Sequence, residues 1–185
     1  MLAYVFWHWP TGDPRGYEQL QQAFHGALAR TAPPGFRGSV VFRVQGTAAW
    51  LGGAPAYADW YLVDGSAALD PLNVAAVSGD CREPHDRLAS AMAVGAGSLL
   101  ALRGEQADVA GARRATWLAK QRGMSYDAFY AALGSVPGVA HASLWRRQMV
   151  LGPTPEFGLL SAEPVGLPQN FQPLELELSP IWTGR

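Results

Sequence analysis

Cysteine is nearly absent: Cys81 is the single one in 185 residues. One thiol closes no internal disulfide and forms no paired-cysteine metal or redox site, so the core must hold the fold. Charge is sparse as well. Charged side chains make up 16% of the chain, fourteen basic against fifteen acidic, for a net charge of −1. No basic run occurs, which argues against nucleic acid or an anionic membrane surface as a partner. No apolar stretch approaches the roughly 20 residues that span a bilayer. The opening MLAYVFWHWP has no basic n-region and stops at Pro10, unlike a signal peptide; the expectation is a soluble cytoplasmic protein. The glycine signatures of P-loops, dinucleotide folds and nucleophile elbows are missing, so those readings have no support. The four histidines, His8, His25, His85 and His141, include no i, i+4 pair and no HExxH, so no metal site is expected from sequence neighbours.

What is abundant is apolar and aromatic. Apolar residues reach 49% and tryptophan occurs seven times. A chain of this length buries roughly 70% of its unfolded surface, enough for a self-sufficient core. Periodicity then places the elements. Ala3–Trp9 alternates Tyr4, Phe6 and His8 against Val5, Trp7 and Trp9, a strand pattern. Tyr17, Leu20, Phe24, Ala27 and Leu28 recur at helical spacing after an Asp13 N-cap and a Pro14 first turn. Phe36–Gln45 and Tyr57–Val63 read as strands, with a hairpin loop between them. A helix capped by Asp64, a helix over Pro84–Val94 and a strand over Ser98–Arg103 complete a β-α-β-β-α-β order. The order then returns: strand Arg114–Gln121, helix Ser125–Leu133, and strands Ala142–Leu151, Phe157–Ala162 and Leu174–Ser179. A proline-rich loop, Pro164–Pro173, stands where the second helix would fall.

The β-α-β-β-α-β order is that of a ferredoxin-like unit, a four-stranded antiparallel sheet with helices on one face. Its other face needs a cover, which a tandem copy supplies. The fold expected is α+β: two tandem ferredoxin-like units, residues 1–104 and 113–185, forming a pseudo-dimeric α+β barrel, with EQADVAGA as linker and no second helix in the C-terminal unit. Such a chain is expected to be a monomer, or a homodimer built on a different surface.

Three segments, AYVFWHW, ADWYLVDGSAALDPLN and RATWLAKQRGMSYDAFYAAL, resemble the dimeric α+β barrel superfamily, which includes antibiotic-biosynthesis monooxygenase-like and EthD-like proteins. The likeness runs through the whole chain as element order. It implies two sheets packed around a cleft. Members include cofactor-free oxygenases, haem enzymes, small-molecule lyases and isomerases, and proteins with no known reaction. The function this implies is a small-molecule enzyme, a cofactor-free oxygenase or a proton-transfer isomerase or lyase. The alternatives are a haem-binding protein of the same fold and a non-catalytic module that binds a small ligand.

Particular residues carry the chemistry. His8 shares a face with Tyr4 and Phe6; it is either a half-buried ring satisfied by a neighbour or a general base or haem ligand in the cleft. His85 lies on the same helical face as Leu88, Ala89 and Met92, where a pocket residue would be, while Asp86 points about 100° away. Tyr61 is a candidate acid. His25 and His141 read as surface and loop-edge residues. Glu175 and Glu177 lie on either a solvated face or a cleft wall. In the second case Arg43, Arg146 or Arg147 would pair them, with Lys120 nearby, and an arginine-lined cleft would favour an anionic ligand. Most tryptophans fill core; Trp60 and Trp117 are candidates for stacking on a planar ligand.

Overall fold

The computed structural model describes residues 1–51, 55–104, 107–149, 152 and 154–184. Among these residues eight strands run as β1 (Leu2–Pro10), β2 (Phe36–Gln45), β3 (Ala56–Val63), β4 (Met92–Arg103), β5 (Arg114–Leu118), β6 (Ser143–Arg147), β7 (Phe157–Ser161) and β8 (Leu174–Gly184). They close an antiparallel barrel in the order β1-β3-β2-β8-β5-β7-β6-β4. Within it the first four strands stand as β4-β1-β3-β2 and the last four as β8-β5-β7-β6, joined where β2 meets β8 and β4 meets β6. The α-helices of the described residues pack outside: α1 (Pro14–Thr31), α2 (Leu69–Ala76), α3 (Arg82–Ser90) and α4 (Tyr126–Gly134). Among the described residues no helix is long and apolar enough to cross a membrane.

Strand alternation sorts the side chains. Ala3, Val5 and Trp7 of β1 point inward with Val40, Phe42 and Val44 of β2, while Leu2, Tyr4 and Phe6 point outward under the helices. The barrel interior is filled by indoles. Trp7 meets Trp117 edge-on at 5.8 Å and Trp60 meets Trp145 at 5.4 Å, and all four are buried to 1% exposure or less. Edge-to-face pairs like these add about 0.5–1.5 kcal/mol each beyond the area they bury. Trp50 joins from the 3-10 turn Ala49–Leu51, within 6.0 Å of Trp7 and 6.1 Å of Trp117. This overturns the placement of Trp60 and Trp117 at an open cleft between sheets. Their rings are the packing that fills that space.

Asp13 caps α1 as the sequence requires, accepting from the Gly16 amide at 2.9 Å with Pro14 at the first position. Asp64 caps nothing; its carboxylate pairs with Arg37, and Gly65 opens the 3-10 turn ahead of α2. The helix expected to reach Val94 stops at Ser90, and β4 begins at Met92. The run MAVGAGS fits either period, and pairing with β1 as far as Pro10 decides for strand. β5 ends at Leu118, and β6 ends at Arg147 rather than Leu151, since Met149 adopts a positive φ; Leu151 itself lies outside the described residues, as do 105 and 106 of the linker. The rest of the linker is anchored, with Val109 and Ala112 buried in the barrel core. In the proline-rich segment Val165, Leu167 and Phe171 pack on the sheet where a helix is missing.

Candidate functional site

Aspartate is a poor strand former, yet Asp59 sits in the middle of β3 at 1% exposure. It faces outward with Tyr57 and Tyr61, beneath α1. An ionised carboxylate is buried only at high cost unless it is paired and hydrogen-bonded, and both of its oxygens are occupied. His8 Nε2 lies 2.8 Å from Oδ1, and His25 Nε2 lies 3.2 Å from Oδ2. The Tyr61 hydroxyl donates to Oδ2 at 3.0 Å. Register explains the first contact: Phe6 is directly opposite Asp59, so His8 stands one step along the same face. The helix explains the second: Tyr17, Gln21 and His25 recur every four residues and share the buried side of α1.

The network assigns the protons. An ionised carboxylate only accepts, so each imidazole donates its Nε2–H to Asp59. In the neutral imidazole each Nδ1 is then an acceptor, and each meets a hydroxyl: the Tyr17 hydroxyl lies 2.6 Å from His8 Nδ1 and the Ser39 hydroxyl 2.8 Å from His25 Nδ1. The Gln21 amide nitrogen stands over the same ring, 3.2 Å from His8 Nε2 and 3.4 Å from Nδ1. Burial pushes the Asp59 carboxyl up, but His8 and His25 against its oxygens more than reverse this and hold it below the usual carboxylate range. Burial, and then the charge of Asp59, push the hydroxyls of Tyr4, Tyr17 and Tyr61 above the ordinary tyrosine value. Tyr61 therefore keeps its proton as a donor to Asp59, which makes it a weaker acid than the sequence suggested.

A cavity of about 400 Å³ opens on this cluster between the strands and helices α1, α2 and α3. Its polar end is His8, Tyr17, Gln21, Asp59 and Tyr61; the rest is Tyr4, Phe6, Phe24 and aliphatic side chains such as Leu72, Leu88 and Met92, with Asn73 and His85 among them. No arginine or lysine lines it among the described residues. The alternative of an arginine-lined cleft is therefore not what this cavity shows.

His85 reaches this cavity, as its helical face required, edge-on to Phe24 at 5.7 Å. A third of its side chain is exposed, and Asp86, expected to diverge, bends back to lie 3.1 Å from Nδ1. Arg43 does not line the cavity. Its Nε donates to Glu18 at 2.9 Å, and Tyr57 donates to the same oxygen. Arg146 lies on the far half of the barrel, over the Tyr126 ring at 5.2 Å, as does the Lys120 ammonium. Glu175 and Glu177 are exposed, Glu177 pairing with Arg114, so theirs is the solvated face. His25, expected at the surface, is completely buried, and His141 is exposed at the end of a 3-10 turn. Among the described residues no group of three or more His, Cys, Asp or Glu is placed to hold a metal. The sequence reading missed Asp59, Ser39 and the roles of Tyr17, Gln21 and His25. The available signal was a lone aspartate inside an alternating aromatic strand.

No family model matches the sequence, and no curated protein matches it. Solved structures match its fold. A protein described as a "putative monooxygenase" from Fusobacterium nucleatum superposes with a TM-score of 0.61 at 7% identity, covering 100% of this chain and 94% of its own. Another so described, from Lactobacillus acidophilus, gives 0.58 at 8%, covering 99% and 95%. An "anthrone oxidase-like protein" gives 0.54 at 10%, covering 88% and 73%. At these identities the likeness is one of fold, an α+β barrel shared with monooxygenase-like proteins.

Proposed function

We propose that the chain is an oxygenase-type enzyme without a resident cofactor, acting on an apolar, planar compound that carries one weakly acidic proton. One observation carries the reading: the hydroxyl–imidazole–carboxylate series Tyr17–His8–Asp59 opens on a largely apolar cavity that no arginine or lysine lines among the described residues. The substrate gives its proton to the Tyr17 oxygen as the Tyr17 proton passes to His8 Nδ1. Asp59 then stabilises the imidazolium, and His25 and Tyr61 hold Asp59 in place. General base catalysis of this kind is worth about 10²- to 10⁴-fold. The anion left in the cavity is the electron-rich species that O₂ oxidises. For a CH₂ flanked by aromatic rings, two C–H bonds give way to C=O, one oxygen atom enters the product and the other leaves as water. The names of the structural neighbours support this direction of reading. Without O₂ the same anion would be reprotonated elsewhere, which is the isomerase variant.

Haem fits these residues poorly. An axial histidine needs a ring nitrogen free for iron, and both nitrogens of His8 and of His25 are hydrogen-bonded. That leaves His85 as the cavity histidine a haem would have to use. We further propose that residues 1–104 and 113–185 are tandem ferredoxin-like units, because their strand orders correspond, and that a barrel closed within one chain works as a monomer. The test of the reaction is O₂ uptake with anthrone. The expected result is consumption by the wild-type protein and a loss of about 10²-fold or more in His8→Gln. A Soret band on adding haem, with activity only then, would overturn the cofactor-free reading, and ligand binding with no turnover would favour the binding module.

A further inference from the structure

We infer that Gly95 and Gly97 of β4 set the depth of the cavity, and so how extended a flat ligand it admits; the inference rests on this cavity being the ligand site. Tyr4 and Phe6 form one wall of the cavity. On β1 they face outward, with Phe6 opposite Gly97 and His8 opposite Gly95. Both rings lean across the neighbouring strand onto the bare backbone. A Cβ at Gly95 would stand 2.6 Å from Cε2 of Phe6, and one at Gly97 would stand 2.9 Å from the Tyr4 hydroxyl. Neither glycine has a positive φ, so what each supplies is a missing side chain rather than an unusual backbone. Glycine within a strand weakens it and commonly marks close approach by another group. Here that group is an aromatic ring.

The geometry also says where a displaced ring would go. Phe6 is held in a near-parallel row between Tyr4, at 6.3 Å and 19°, and His8, at 5.4 Å and 26°. It has no room to slide along β1. A methyl group on β4 would push it off the sheet, into the cavity, narrowing the slot between the aromatic wall and the aliphatic side chains of α2 and α3. A ligand of two fused rings tolerates that loss of depth better than one of four.

Two neutral fluorescent hydroxyarenes, naphthol and hydroxypyrene, test this by titration against the folded full-length protein. Gly95→Ala is expected to weaken hydroxypyrene about tenfold while naphthol changes by about twofold or less. Gly97→Ala shifts the ratio the same way by less. Phe6→Leu in the Gly95→Ala background removes the displaced ring and restores hydroxypyrene binding. If Gly95→Ala fails to fold, Phe6→Leu alone carries the test, since the deeper slot should tighten hydroxypyrene relative to naphthol. An unchanged ratio in the folded glycine variants, or in Phe6→Leu, overturns the inference and leaves the reaction standing. A wild-type protein that binds neither hydroxyarene overturns the cavity as ligand site as well.

Discussion

The third strand of each half presents its outer face to helices, and the two faces differ residue by residue. β3 offers Tyr57, Asp59 and Tyr61, whereas β7 offers Phe157, Leu159 and Ser161. Over β7, the rings of Phe129 and Phe157 stack at 4.4 Å, and Leu118, Leu133 and the proline-rich segment seal the space. Over β3, α2 and α3 stand across a cavity, and the space beside Asp59 stays open at one end. The same strand order therefore accompanies a solid layer where the central residue is leucine and a cavity where it is a buried carboxylate held by two histidines. The polar face is the exception that needs extra structure to support it, which is why it collects His8, His25, Ser39, Tyr17 and Tyr61.

Removing the centre of each layer should show the largest effect and separate stability from activity. Asp59→Ala takes one partner from a buried charged network and is expected to cost about 3–5 kcal/mol. Leu159→Ala opens a cavity in the other half at about 2–5 kcal/mol. Urea unfolding should find the two similar, while turnover per folded molecule disappears only in Asp59→Ala. A smaller change, Tyr17→Phe, removes one neutral hydrogen bond at about 1 kcal/mol yet interrupts the proton path, so kcat falls by about 10²-fold with little change in urea midpoint.

The fold was largely legible in the sequence because it depends on alternation and punctuation. Trp7 against His8, Val40 against Ser39, and Asp13–Pro14 each followed local rules. The register of MAVGAGS was not legible, since alanine and glycine carry no period and only β1 decides it. The site was half legible. The faces of their elements locate His8 and His85, but Asp59 reads as one polar residue in a strand. His25 reads as a surface residue in the sequence, and only its place beside Tyr17 and Gln21 on the buried side of α1 shows otherwise. Which face of the sheet held the pocket depended on six-ångström packing among tryptophans from distant strands, and no local pattern records that.

pH sharpens the contrast between the halves. Tyr4, Tyr17 and Tyr61 have folded-state values above the ordinary one of about 10, and Tyr57 is pushed up to about 12 by burial and by Glu18. Unfolded tyrosines ionise first, so this contribution is complete below about pH 10 and is lost as pH rises through the folded values. Asp59 works in the opposite sense. Its lowered value contributes stability above about pH 4 that is lost on further acidification. Phenolate absorbance during alkaline titration should therefore lag behind free tyrosine and rise together with unfolding. Arg43→Ala is expected to do least: its pair with Glu18 is partly exposed, worth about 0–1 kcal/mol, and turnover should stay near the wild-type level.

If Tyr17, His8 and Asp59 take a proton from an apolar ligand, the absorption spectrum of anthrone bound under anaerobic conditions reveals it. The expected result is the anion's band with wild-type protein at a pH where free anthrone is neutral, and the neutral spectrum with His8→Gln. A neutral spectrum in both, with binding intact, would contradict it.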